Sequence, residues 1–498
     1  MLELINYQDN SFLTKNQLNL RELEKHLGKI PQVTKIEWNF GYVKKDKHIF
    51  GLGLYNKNLN SLPECIGNLT TLQMLYLKDN RLTSLPESIG DLTNLKWLYL
   101  EGNQLTSLPD SIGKLKNLIV LDLGANPLKS LQETIGKLTR LKELYLSATG
   151  LTSLPKNIHQ LTRLNSLNLS LNNFRSLPEN FFELKNLQVL NLGSNQFKTL
   201  KESIGNLSSL KELNLYDNQL TSLPKNIGKL TNLQKLILQN NQLCFLPESI
   251  GELTNLKWLY LEGNQIHSLP RTIGNLAHLQ KLYLYDNKLH ALPESVGNLS
   301  KLYQLDLEKN QLKSLPKNFH HLTNLRSLNL SLNQFQSLPA NFFQMKKLKK
   351  LSLAGNPLVS YPETINNLKL LKPLKLDLDS WGDILSLFKL LNSPNYRIHT
   401  KASEIIKRYA ENARRSYSIL GMESWEITQL IQSLLEKGHT LPDDALKWVF
   451  QLFIDLNIPH KNLESLKPLL LALLLLNTSS STLQSLIKKL LTPSIEDK

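Results

Sequence analysis

Leu95-Lys96-Trp97-Leu98-Tyr99-Leu100-Glu101-Gly102-Asn103-Gln104-Leu105-Thr106-Ser107-Leu108-Pro109 reads as L-x-x-L-x-L-x-x-N-x-L-x-x-L-P, and the pattern returns every 23 residues. Copies open at residues 49, 72, 95, 118, 141, 164, 187, 210, 233, 256, 279, 302, 325 and 348, and residue 371 opens a partial one. A fixed period of this length means a solenoid, in which each unit buries its apolar face only against its neighbours. The L-x-L segment has period two and predicts a strand. Strands from successive copies stack as a parallel sheet about 4.8 Å apart. The rest of each copy is bulkier than a strand, so the strands take the concave face. The expected fold class is therefore α/β: a curved leucine-rich repeat solenoid with a parallel sheet, followed by an all-α bundle.

Asparagine at position 9 has a defined task. The chain turns sharply there, and an amide offers both donors and an acceptor to backbone groups inside the stack. Asn80, Asn103, Asn126 and Asn172 begin a ladder that runs to Asn356, with departures at Lys57 and Thr149. Thr149 keeps only a hydroxyl, so local irregularity is expected there. Leu-Pro at positions 14 and 15, then Ile-Gly and Leu, fill the convex side; proline suits an extended segment that donates no bond.

The three parts of the chain differ. Residues 1–48 read as an N-terminal cap, with a helix at 18–28, Pro31, and a strand at Val33–Phe40. Residues 49–376 hold fourteen full repeats and a partial one. Residues 377–498 lose the period and read as helices near 380–391, 400–420, 424–437, 442–457, 462–476 and 481–491, with Gly421 and Gly438 at helix ends. This helical domain is read as a cap, a second partner site or a dimerising element. Its Leu469–Leu476 run fits a central buried helix and is far shorter than the ~20 residues of a membrane span. Arg414-Arg415 and Lys488-Lys489 read as solvated charge.

The net charge is +16 over the whole chain, and 36 Lys+Arg against 22 Asp+Glu place +14 of it in residues 49–376. Lys156, Lys225, Lys229 and Lys317 exemplify the convex positions involved. A solvated outer face is the plain reading; a basic surface for nucleic acid or anionic membrane is the alternative. Only two cysteines occur, Cys65 and Cys244, both inside repeats, so no disulfide framework is expected. The N-terminal residues show no signal-peptide pattern, and the expected location is cytoplasmic.

The unit L-P-x-x-I-G-x-L-x-x-L, as in Leu85-Pro86-Glu87-Ser88-Ile89-Gly90, resembles the intracellular leucine-rich repeats of Ras-pathway scaffolds, plant intracellular Ras-group proteins and the Scribble/Erbin group. Bacterial and archaeal repeat proteins use similar units. The resemblance implies a concave face that holds a protein partner such as a small GTPase or a phosphatase. It also touches bacterial effectors whose C-terminal ubiquitin-ligase domain uses a catalytic cysteine, but residues 377–498 contain no cysteine. No G-x-x-x-x-G-K-[ST] loop is present.

The copies also repeat as a block. Leu85–Gln104 equals Leu246–Gln265 except for Asp91 against Glu252, an offset of seven repeats. Irregular residues obey the same offset: His159 pairs with His320 and Phe182 with Phe343, and Ser153–Leu187 shares 25 of 35 residues with Ser314–Leu348. Shared deviations mark a seven-repeat duplication. On the concave face it creates two aromatic patches. The first holds Met74, Tyr76, Trp97, Tyr99 and Tyr145; the second holds Ile237, Trp258, Tyr260 and Tyr283, with Tyr216 and Tyr285 at position 7. Asn168, Asn191 and Asn214 form a polar strip between them. Exposed Trp and Tyr on a rigid face are typical binding anchors.

No catalytic motif or metal-ligand spacing is found. His320-His321 lacks a third ligand nearby, and its first member repeats His159. The expected function is a non-enzymatic protein-binding scaffold or adaptor in signal transduction, without cofactor or metal. The alternative places an effector-like active site in residues 377–498.

Overall fold

The computed structural model describes residues 15–36, 40–45, 48–353, 355–357 and 375–377. The helices expected beyond residue 379 lie outside the described residues. The chain divides into two compact units, residues 1–305 and 306–498.

In the first unit, α1 (Lys15–Leu27) sets its buried Leu20 and Leu23 against the first repeat. Asn19 Nδ2 donates to Asn68 O at 2.6 Å, tying the helix to the first convex turn. The helix runs from three residues before the expected start and stops at Gly28, which adopts φ 76°. The strand expected at Val33–Phe40 is not formed among its described residues. The strand is instead β1 (Gly41–Lys45), antiparallel to β2 (His48–Gly53). Val33 packs beside it: Val33 N–H donates to Tyr42 O at 2.8 Å, and a Cβ on Gly41 would lie 2.6 Å from the Val33 side chain. Glycine at 41 is thus what lets the entering segment cross the strand start.

From β2 onward each repeat contributes one strand, paired in parallel with the next. These are β3 (Met74–Tyr76), β4 (Trp97–Tyr99), β5 (Val120–Asp122), β6 (Glu143–Tyr145), β7 (Ser166–Asn168), β8 (Val189–Asn191), β9 (Glu212–Asn214), β10 (Lys235–Ile237), β11 (Trp258–Tyr260) and β12 (Lys281–Tyr283). Register never slips, because a slip of one residue would turn the leucines outward: Leu75, Leu98, Leu121 and Leu144 lie in one row, all fully buried. The first unit ends at Leu305, within β13 (Gln304–Asp306). In the second unit β14 (Ser327–Asn329), β15 (Lys350–Ser352) and β16 (Lys375–Asp377) repeat the parallel pairing.

The convex segment is a short 3-10 helix in most repeats, a detail the 23-residue pattern did not predict. Glu248–Glu252 is representative. Pro247 is extended at φ −67°, Ile250 N–H donates to Pro247 O at 3.0 Å, and Ile250 is fully buried. The Ile-Gly glycine has a steric cause. A Cβ on Gly251 would lie 2.4 Å from Thr272 O of the next repeat. Where His159 replaces that glycine, the helix contracts to Ile158–Gln160; where His320 does, to Phe319–His321.

Each unit has its asparagine ladder: in the second, Asn333 Nδ2 donates to Leu307 O at 2.8 Å and its Oδ1 accepts from Leu312 N at 3.0 Å. Asn103 Nδ2 donates to Leu77 O at 2.8 Å and Leu100 O at 2.9 Å, and Asn103 Oδ1 accepts from Leu82 N at 3.0 Å. At Thr149 the sheet stays in register. The Thr149 hydroxyl bonds Leu146 O at 2.8 Å and Asn172 Oδ1 at 2.9 Å. What Thr149 cannot do is reach back one repeat to Leu128 N. That amide donates to Asn126 O at 2.8 Å instead, and Lys129 takes φ 58°. The irregularity expected at Thr149 therefore falls in the turn of the preceding repeat, after Pro127. Cys65 and Cys244 are both free.

Candidate functional site

Strand positions 3 and 5 flank a fully buried leucine, so their side chains must stand on the open face of the sheet. Met74, Tyr76, Trp97, Tyr99, Tyr145, Ile237, Trp258, Tyr260 and Tyr283 all do so, and all are half-buried rather than fully exposed. Tyr216 and Tyr285, at position 7, are the exposed members of the set, at 39% and 38%. Neighbouring rings account for the partial burial. Tyr76 and Tyr99 stack at 4.3 Å between centroids, and Tyr260 and Tyr283 stack at 5.1 Å.

The two patches share a Trp-Leu-Tyr strand and differ around it. In the first, β3 places Met74 and β5 places Val120 beside Trp97. Tyr99 lies between Tyr76 and Asp122. Lys78 reaches over this row. Its ammonium pairs with Asp122 at 2.8 Å and with Glu101, and lies 5.4 Å from the centre of the Tyr99 ring. Burial pushes the Asp122 carboxyl above the usual carboxylate range although Lys78 pulls it down. Burial also works against the charged Lys78, but the two carboxylates outweigh it and hold its ammonium above the ordinary lysine range. Tyr145 donates to Glu143 at 2.7 Å, and its hydroxyl is pushed up to about 12 by burial and by that carboxylate.

In the second patch β10 and β12 place Lys235 and Lys281 on either side of Trp258. Ile237 and Tyr283 flank Tyr260. Lys235 lies 3.7 Å from Glu212, and the Lys281 ammonium lies 5.8 Å from the centre of the Tyr303 ring. Trp258 Nε1 is buried and has no acceptor. Between the patches the expected polar strip turns onto its own backbone: Asn168, Asn191 and Asn214 accept from Ser170 N, Gly193 N and Tyr216 N at 3.0, 3.0 and 2.9 Å.

Sequence reasoning placed the aromatic side chains on the open face of the sheet and missed the charges between them. Lys78 and Glu101 are one period apart, and Asp122 follows 21 residues later. Aligning positions 5 and 7 of adjacent copies would have exposed this cluster. A buried ion pair loses much when one partner is removed, because the other charge is left desolvated. Lys78→Ala is expected to destabilise the fold by about 1–2 kcal/mol at neutral pH, a figure reduced because the pair is partly solvated. Without Lys78 the Asp122 carboxyl rises further. A raised carboxyl favours the folded state most when it is protonated, so the penalty must shrink as pH falls through that value. Urea unfolding of the variant at neutral and mildly acid pH measures this; an unchanged difference would contradict the assignment.

Among the described residues no group of three or more His, Cys, Asp or Glu side chains is arranged to hold a metal ion. Nor is any described helix long and apolar enough to cross a membrane.

The family described as leucine-rich repeat region matches residues 34–144, 120–239, 189–285 and 247–312, and a single leucine-rich repeat matches 324–345. No curated protein matches the chain in sequence. Among solved structures, a leucine-rich repeat protein of Leptospira interrogans is 37% identical, with a TM-score of 0.56. That alignment covers 66% of this chain and 95% of the other. The plant peptide hormone receptor RGFR1, solved in complex with RGF2, is 28% identical with a TM-score of 0.52, over 66% of this chain and 58% of the receptor. An internalin of Listeria monocytogenes shares the fold at 23% identity and a TM-score of 0.54, over 73% of this chain and 96% of its own. With family matches running from residue 34 to residue 312 and a 37% identical relative covered almost end to end, the chain belongs to the leucine-rich repeat family.

Proposed function

We propose that this chain is a non-enzymatic scaffold that presents the open strand face of its repeats to a protein partner. The observation that carries this reading is the pair of Trp-Leu-Tyr strands, Trp97–Tyr99 and Trp258–Tyr260, each set in a row of half-buried aromatic side chains on that face. Flat, rigid aromatic anchors ordered by their neighbours lose little side-chain freedom on binding, which is why such residues dominate interface energetics. The likeness to a receptor solved with its peptide hormone supports the same use of the fold. The LPxxIG form of the repeats favours an intracellular signalling setting, with a small GTPase or a phosphatase complex as partner class and the cytoplasm as location.

Affinity capture from the native cell, with the recovered partner then titrated against purified wild type, Trp97→Ala and Trp258→Ala, tests the reading. Truncation of a true anchor is expected to weaken binding by about 2 kcal/mol, or roughly thirtyfold. Both patches qualify as anchors, so loss in either variant supports the scaffold, and unchanged affinity in both sinks it.

A further inference from the structure

The two patches descend from one sequence block, so the residues that have changed between them report on what each one contacts. Both keep the Trp-Leu-Tyr strand, and both keep a lysine just before it, Lys96 and Lys257. The neighbours of the tryptophan have changed. Met74 and Val120 flank Trp97, whereas the residues seven repeats on, Lys235 and Lys281, flank Trp258. The internal ion pair has changed as well. Lys78 and Asp122 neutralise one another in the first patch; their counterparts in the second are Gln239 and Tyr283. Positive charge has thus moved from the carboxylate-paired position 7 to the open row beside the indole.

That charge is only partly answered within the chain. Lys235 has a long contact to Glu212 at 3.7 Å, with both side chains partly exposed. Lys281 makes no ion pair among the described residues; its ammonium sits over the Tyr303 ring. Glu262, at position 7 of the tryptophan's own repeat, accepts from Gln239 Nε2 at 3.0 Å. Lysines on the two strands that flank the indole, their ammonium groups resting at Glu212 and over the Tyr303 ring, together with a stacked tyrosine pair, suit a ligand that brings carboxylates beside an apolar group.

Resting on the scaffold reading above, we infer that the second patch selects an acidic peptide segment of its partner. One carboxylate seats between Lys235 and Lys281, and the neighbouring apolar side chain lies on Trp258, Tyr260 and Tyr283. The first patch, with its charges closed on themselves, selects an uncharged apolar segment. The duplication thereby gives one chain two sites of different specificity, about 34 Å of arc apart at ordinary strand spacing.

The test uses the full chain and a random peptide library displayed on phage. Peptides enriched on wild type are synthesised, as are versions with Asp and Glu changed to Asn and Gln. Each is titrated against wild type, Trp97→Ala, Trp258→Ala and the double variant Lys235→Glu/Lys281→Glu. The expected result is a class rich in Asp and Glu next to an apolar residue. Its affinity falls about tenfold or more on amidation, on lysine reversal or in Trp258→Ala, and is untouched by Trp97→Ala. Circular dichroism and unfolding of the lysine variant confirm that it folds. Enriched peptides without acids, or acidic peptides indifferent to the lysine reversal, overturn the inference and leave the scaffold reading standing. Failure to enrich any peptide overturns it too. The scaffold reading is judged separately, by the captured partner and the tryptophan variants.

Discussion

Replacing Asn218 by alanine is expected to destabilise the first unit by about 3 kcal/mol, whereas Thr149→Ala should cost only about 1 kcal/mol. The difference follows from which bonds have a substitute. Asn218 Nδ2 donates to Leu192 O, Leu215 O and Tyr216 O at 3.0, 3.1 and 3.2 Å. Each of these carbonyls has a second donor: Asn195 Nδ2 at 3.1 Å, Asn241 Nδ2 at 2.9 Å and Ser194 N at 2.7 Å. Phe197 N–H is different. Its bond is to Asn218 Oδ1 at 3.0 Å, and the fully buried ring beside it excludes water. Alanine at 218 orphans that amide and opens a cavity, which together make the cost. At Thr149 nothing is orphaned. Leu146 O keeps Asn172 Nδ2 at 2.7 Å, and Asn172 Oδ1 keeps the amides of Thr149 and Leu151 at 3.0 and 2.9 Å. Urea unfolding midpoints of the two variants measure the ratio; equal losses would refute this account of the ladder.

Gly251→Ala is expected to cost about 2–3 kcal/mol although it adds a single methyl group. The new Cβ would meet Thr272 O at 2.4 Å and Thr272 Cβ at 2.5 Å, and neither is the free end of a flexible side chain. Relief requires the Glu248–Glu252 turn and the next one, Arg271–Asn275, to separate. Arrays of this kind hold together through nearest-neighbour interfaces, so opening one interface weakens the stack locally. The chain shows how the problem is solved elsewhere. At His159 and His320 the turn is shorter, and His159 Nδ1 and His320 Nδ1 each contact their own repeat's backbone, at Lys156 O and Lys317 O, at 3.0 Å. Phe182 fills the same position in a turn that keeps five residues, Glu179–Glu183, so contraction accompanies the histidines and is not the only way to seat a side chain there. Thermal unfolding of Gly251→Ala beside Gly150→Ala gives the comparison. Gly150 has open space around its Cβ direction and a φ of 74°, so its loss reports backbone strain alone. A smaller loss at 251 than at 150 would contradict the contact argument.

How much was legible beforehand depends on the range of the interaction. The strands at Trp97–Tyr99 and Trp258–Tyr260 were visible because a period-two pattern inside a fixed repeat leaves one choice of inward face. The asparagine ladder was visible because an amide at every 23rd residue has no other common use. The strand at Gly41–Lys45 was misplaced, because Val33–Phe40 also carries β-branched and aromatic residues. What distinguishes the two segments is pairing: Gly41–Lys45 lies antiparallel to His48–Gly53. Met74, Tyr76 and the other nine side chains were legible as open-face residues because their positions recur with the period, whereas Lys78, Glu101 and Asp122 belong to three different repeats and meet only across strands.

The sequence by itself determined that the chain is a stack of 23-residue repeats, which leucines face inward, where the asparagines stand, and that a seven-repeat block was copied. All of these are periodic, and periodicity is a one-dimensional property. The tertiary structure decided that the Lys78 ammonium closes on Asp122 and Glu101, that the Lys281 ammonium lies over the Tyr303 ring, and that the cost of Thr149 is met in the turn after Pro127. Those facts depend on side chains a full repeat apart meeting across the sheet, and on which hydrogen bonds have a second donor. No single repeat contains that information, because each repeat buries and satisfies its groups only against its neighbours.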